Sequence, residues 1–186
     1  MIRYFESEQY LKSLPESTED TEFDECFFNS VNLNEESFRN SKLIQCQFEN
    51  CNLSNLSVTN IVLRDVKFSD CKMIGINWSS AQTFSDVIFE NCILNLSVFQ
   101  NLNLSGIVFK NCSIVDVDFS SSKLLRANFS NSKLSGAVFN ESNLEGADFR
   151  GAIDYFIDSR FTSIRKARFS MPEALVLLKS LEVIID

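Results

Sequence analysis

The residues that could do chemistry are few, and their spacing is unusual. Six cysteines stand at positions 26, 46, 51, 71, 92 and 112. A group of thiols can hold a soft metal or run a redox couple, but such roles need close pairs or a second type of ligand. No two of these cysteines are separated by only two residues, and the chain contains no histidine. The usual zinc partner and the commonest general base are therefore both missing. Asp116 and Asp118 are neighbouring carboxylates that raise the question of acid–base work. They flank Val117, which strand alternation turns inward, so both are expected to face solvent. The five glycines, at 75, 106, 136, 146 and 151, are scattered singly, and four of them stand just before Ile76, Ile107, Ala137 and Ala147. That placement suits corners, not a phosphate-cradling loop. No catalytic, metal or cofactor site is predicted, and the chain is expected not to be an enzyme.

The cysteines belong instead to a rhythm of five. In DVIFENCILNLSVFQNLNLSGIVFKNCSIVDVDF, residues 86–119, the large apolar residues Phe89, Leu94, Phe99, Leu104, Phe109, Ile114 and Phe119 recur at every fifth place. Such centres begin at Phe23 and run to Phe149, twenty-six in all, with one extra residue within 79–83. Neither a helix nor a flat strand has this period. Every fourth centre from Phe28 is Phe: Phe28, Phe48, Phe68, Phe89, Phe109, Phe129 and Phe149. Another set is mostly aromatic: Phe38, Val58, Trp78, Phe99, Phe119 and Phe139. Four units therefore close one turn, and each side of the turn keeps its own residue type. The spacing predicts an all-β solenoid of square cross-section, its turns stacked as parallel ladders at roughly 4.8 Å.

Residues two before each centre must also point inward, into a tighter space. All six cysteines fall there, with Ser41, Ser97, Ser122, Ser132, Ala127, Ala137 and Ala147. Buried thiols behave as small hydrophobes, which makes the cysteines packing residues. Glu36, Leu56, Ile61 and Leu102 occupy the same slot and predict local widening. Asn50, Asn91, Asn111 and Asn131, two after the all-Phe centres, predict a hydrogen-bonded amide ladder at one corner.

The units AVFNE, SNLEG and ADFRG at 137–151, with ANFSN and SKLSG at 127–136, resemble the pentapeptide-repeat family: a small residue, a polar residue, Leu or Phe, then two polar residues. The resemblance covers about residues 21–151. It implies a right-handed quadrilateral parallel β-helix, here of about seven coils.

The expected organisation has three parts. Residues 1–20 form an acidic N-terminal cap, in which Tyr10, Leu11 and Leu14 are spaced for a short helix over the first coil. Residues 21–169 form the β-helix. Its pattern lapses at 153–162 as a bulged side and returns at Phe169, twenty residues after Phe149. Residues 170–186 form a C-terminal α-helix and tail, with Ser170 and Glu173 spaced as a capping box and Pro172 in the first turn. This end is similar to that of the quinolone-resistance (Qnr) type of pentapeptide protein, although the long loops of the Gram-negative plasmid members are missing. That likeness implies a homodimer, and the apolar residues beyond those needed to seal the tube are Val176, Leu177, Leu178, Leu181, Val183, Ile184 and Ile185. The alternative is a monomer whose tail folds back along the last turn.

The wall should carry whatever function there is. A net charge of −8 makes nucleic acid an unfavourable direct partner. No apolar run is long enough for a membrane span or a signal sequence, which makes a cytoplasmic location the expectation. Among outward positions, Ile74, Ile88, Ile93, Val108 and Val115 in the middle coils are apolar and predict a protein-binding surface. A rigid interaction module for a protein partner is the first reading. The alternative rests on the Qnr resemblance, which implies a surface that imitates duplex DNA and binds DNA gyrase. Lys67, Lys72, Lys110, Lys123, Arg126 and Lys133 interrupt the acidic wall which that alternative requires.

Overall fold

Each five-residue unit supplies a short straight segment and a corner, and the corner chemistry explains why the chain turns where it does. Corner residues adopt the left-handed backbone, with φ between 49° and 62° for the non-glycine cases. Most of them are Asn or Asp, which tolerate that region. The computed structural model describes residues 2–11, 14 and 17–179. They form a four-sided parallel β-solenoid of about eight turns.

Strands β1 (Arg3–Glu6), β3 (Thr21–Asp24) and β5 (Lys42–Ile44) stack on one face. On the next face β2 (Gln9–Leu11), β4 (Phe27–Asn29) and β6 (Gln47–Glu49) do the same. The longer β7 (Val62–Ser69) and β8 (Thr83–Glu90) round the corner and join both faces, and β9 (Val108–Lys110) continues the second. The other two faces are held by single bridges such as Asn52↔Lys72, Lys72↔Ile93 and Val98↔Asp118. The extra residue expected at 79–83 is absorbed next to a one-turn 3-10 helix at Trp78–Ser80.

The core is a stack of rings. Tyr10, Phe28, Phe48, Phe68, Phe89, Phe109, Phe129, Phe149 and Phe169 lie one above another, with centroids 4.3 to 5.3 Å apart and planes within 21°. Trp78, Phe99, Phe119 and Phe139 form a second stack that meets the first edge-on. Offset stacking within a column and edge contacts between columns are the two favourable aromatic geometries. The small slot works as expected: all six cysteines are buried and free. Ser122, Ser132 and Ser142 are buried there too, and each hydroxyl donates to a carbonyl of the preceding coil.

Departures from expectation cluster at the ends. Residues 2–11 do not form a helix. β1 and β2 add a further turn, with Phe5 stacked on Phe23 at 5.4 Å and Tyr10 on Phe28 at 4.9 Å. A parallel edge offers unpaired backbone groups and open ring faces, which another strand satisfies and a crossing helix does not. Glu36 does not widen the tube. Its backbone keeps the ladder, bonding to Leu33 and Ser57, while its side chain is exposed, because a carboxylate cannot be buried unpaired. Leu56 and Ile61 are buried in their slots and Leu102 is half-buried.

At the C-terminal end the bulged side is filled by Tyr155 and Ile157, both buried, and Phe169 rejoins the stack on Phe149. The capping box does not form. The Ser170 hydroxyl accepts from the Gly151 N–H, so the helix starts later, as a 3-10 turn at Glu173–Leu175 followed by α1 (Val176–Lys179). Val176 and Leu177 pack against the core and Leu178 is half-buried. Leu181, Val183, Ile184 and Ile185 lie outside the described residues.

Candidate interaction surface

The interior leaves little reactive chemistry. The thiols of Cys51, Cys71, Cys92 and Cys112 form one column, and each donates to a carbonyl of the coil before, namely Phe28, Phe48, Phe68 and Phe89, at 3.4 to 3.6 Å. An S–H that donates to a carbonyl must keep its proton. Burial pushes Cys46 up to about 12. Among the described residues no three His, Cys, Asp or Glu side chains are grouped to hold a metal ion. Asp116 is an exposed corner residue. Asp118 is half-buried, not fully solvated as expected, and accepts from Gln100 Nε2 at 2.5 Å and from the Ser120 N–H at 2.8 Å. Burial opposes its charge, but those donors outweigh it and hold the carboxyl below the usual range.

The walls carry the features that remain. The predicted apolar residues fall into three columns. Ile88 and Val108 are ladder neighbours on the all-Phe face, with Lys67 on the other side of Ile88. Ile93 lies round the corner between Lys72 and Ser113. Ile74 and Val115 share a third column but are separated by Asn95, whose side-chain oxygen accepts from the Ser113 hydroxyl and the Val115 N–H. Ile88 and Ile93 are 36% and 40% exposed, while Ile74, Val108 and Val115 are half-buried. Glu90, beside Ile88, is shared by Lys110 at 3.0 Å and Lys67 at 3.1 Å, and those two amines hold its carboxyl below the usual range.

One residue completes the patch that the repeat analysis missed. Leu96 is a corner residue with φ +60° and is 60% exposed. Its slot in other coils holds Glu35, Asn55, Gly75, Asp116 and Gly136. A leucine there is costly on two counts, backbone conformation and exposed apolar area. The signal was present in the sequence: a large apolar residue in a corner slot, two after the centre Leu94. With Ile88, Ile93 and half-buried Val98, Leu96 makes a single coil apolar on three successive faces.

A family model described as a pentapeptide repeat region matches residues 21–95 and 83–149. No curated protein matches the chain. Among solved structures, a trypsin-treated form of QnrB1, a plasmid-mediated fluoroquinolone resistance protein, is similar over 100% of this chain and 99% of its own, at 13% identity and a TM-score of 0.67. HetL, a pentapeptide repeat protein involved in heterocyst differentiation regulation from the cyanobacterium Nostoc sp., is similar over 88% of this chain and 81% of its own, at 13% identity and a TM-score of 0.48. At 13% identity the likeness to QnrB1 speaks for the fold alone. Matched by the family's own model across most of its length and built as four faces of stacked five-residue units, the chain belongs to the pentapeptide-repeat family.

Proposed function

We propose that the chain is a non-enzymatic, rigid cytoplasmic scaffold that binds a protein partner through the apolar coil carrying Ile88, Ile93 and Leu96. The observation that carries this reading is Leu96, an exposed leucine held in a left-handed corner where other coils place short or polar residues. Backbone strain and exposed apolar area together, with no packing return, are a reason to look for a ligand. The wall around it is flat and its charges are mixed, which suits a protein surface. The test compares proteins retained by the wild-type chain with those retained by a Leu96→Asp, Ile93→Asp pair and by an Asn101→Asp, Asn140→Asp control on exposed residues away from the patch. Support is a protein lost only with the first pair. Equal retention by all three forms contradicts the reading.

A second reading, binding to DNA gyrase, is favoured by the whole-length fold similarity to QnrB1. Against it, residues 121–186 hold 9 bases and 8 acids, so one end of the rod is not acidic. A gyrase supercoiling assay, with and without a fluoroquinolone, decides. Inhibition of supercoiling or relief of the drug effect supports this reading, and no change at micromolar protein removes it. The expected homodimer through Val176, Leu177 and Leu178 is part of either proposal, and light scattering at tens of micromolar tests it.

A further inference from the structure

One edge of the rod changes sign along its length. The corner residues between the first and second faces are, in order, Glu25, Gln45, Asp65, Asp86, Gly106, Arg126, Gly146 and Lys166, all with positive φ. The whole molecule follows the same trend: residues 1–50 hold 11 acids and 4 bases, whereas residues 121–186 hold 8 acids and 9 bases. The acidity of the rod is therefore concentrated towards its N-terminal end, and its C-terminal half contains a groove lined by cations.

That groove is lined by Arg126, Asn128, Gly146, Asp148, Lys166 and Arg168. Gly146 creates it by omitting a side chain between two long cations. Arg126 Cγ lies 3.4 Å from where a Gly146 Cβ would stand, so the arginine stem crosses the gap. Asp148 is the ladder partner of Arg168 and feels its charge, but Arg150 holds the carboxylate with contacts of 2.6 to 3.1 Å, so the lining keeps a net positive charge. Glu145 is shared loosely by Arg165 at 4.0 Å and Lys166 at 3.9 Å. Arg126 and Arg168 are exposed and form no salt bridge among the described residues.

We infer that this groove is a binding site for an extended, acidic protein segment. Two exposed guanidiniums suit carboxylates, which they grip in bidentate fashion. Arg126 and Lys166 stand two rungs apart, about 10 Å at the backbone for a rung of roughly 4.8 Å. A single phosphate cannot span that distance, whereas carboxylates on alternate residues of an extended chain, roughly 7 Å apart, can engage both ends. Duplex DNA meets the acidic half of the same edge and a chain of net charge −8, which disfavours it. The acidic half also confines a short acidic segment to the C-terminal coils. This surface is separate from the apolar coil at Leu96, so either site can fail without the other.

Fluorescence anisotropy of a labelled hexaglutamate peptide tests the inference. The pair Arg126→Glu, Arg168→Glu is expected to weaken binding at least tenfold. The pair Arg39→Glu, Lys72→Glu makes the same change in net charge elsewhere on the wall and should leave affinity within about twofold. All four side chains are exposed, so both variants should melt with the wild type. Unlabelled hexaglutamate should displace the probe at concentrations where inorganic phosphate and a short DNA duplex do not. Equal weakening by the two pairs, no binding by the wild type, or displacement by phosphate or DNA would overturn the inference.

Discussion

Between Leu104 and Phe149 every rung follows the five-residue unit, whereas the first and last turns place the same rings in the same columns with sequences that break it. In the middle, Phe109 sits between Phe89 at 5.2 Å and Phe129 at 5.3 Å; its own slot holds Ile107, the next holds Cys112, and every slot from Ser122 to Ala147 holds Ser or Ala. At the N-terminal end Phe5 and Tyr10 occupy the Phe23 and Phe28 columns, yet they precede those residues by 18 positions, not 20. At the C-terminal end two expected centres, Asp154 and Ser159, are replaced inside the tube by Tyr155 and Ile157. The stack needs a ring on each rung and a small or β-branched group beside it. The pentapeptide is the most regular way to supply them, and the ends show that others suffice.

The largest expected effects sharpen this comparison. Phe109→Ala should lower stability in chemical denaturation by ~3–5 kcal/mol, since it removes a fully buried ring with neighbours on both sides. Phe28→Ala should cost nearly as much, because Tyr10 lies over it at 4.9 Å. Tyr10→Ala removes the terminal ring, is partly exposed, and should cost about 1–2 kcal/mol. Equal losses for Phe109 and Tyr10 would break the distinction between interior and end.

The thiols probe the same interior without mutation. A thiol reagent should label none of the six cysteines rapidly in the native protein, and all six after unfolding. Fast native labelling of Cys71, Cys92 and Cys112 would mean that the column opens.

A smaller effect separates the last turn from the middle. The Tyr155 hydroxyl is buried and has no hydrogen-bond partner, a defect that no phenylalanine of the regular rungs carries. Tyr155→Phe should therefore raise stability by about 1 kcal/mol. A loss on denaturation would show that the hydroxyl is satisfied and that this turn is as well built as the rest.

The four-sided tube was legible in the sequence because one interior slot recurs at a fixed interval, and Phe169 could be placed by counting twenty from Phe149. The first turn was not. Phe5 and Tyr10 keep the spacing of five, but a coil two residues short puts them out of phase with Phe23. Ser170 and Glu173 read as a capping box because local spacing does not reveal that Gly151 across the coil claims the serine hydroxyl. The apolar wall residues were legible as exceptions to the polar flank. Leu96 escaped notice because the centres were counted more closely than the corners, where a backbone of positive φ makes leucine the exceptional choice.

The central claim is that the interior sets stability while the apolar coil is kept for a partner, and Leu96→Asn tests it most directly. Asparagine tolerates the left-handed corner, and Leu96 is 60% exposed, so little packing is lost. Chemical denaturation should show the variant more stable than the wild type by about 0.5–1 kcal/mol. A loss of stability of similar size would mean that Leu96 serves the fold, and would contradict the account.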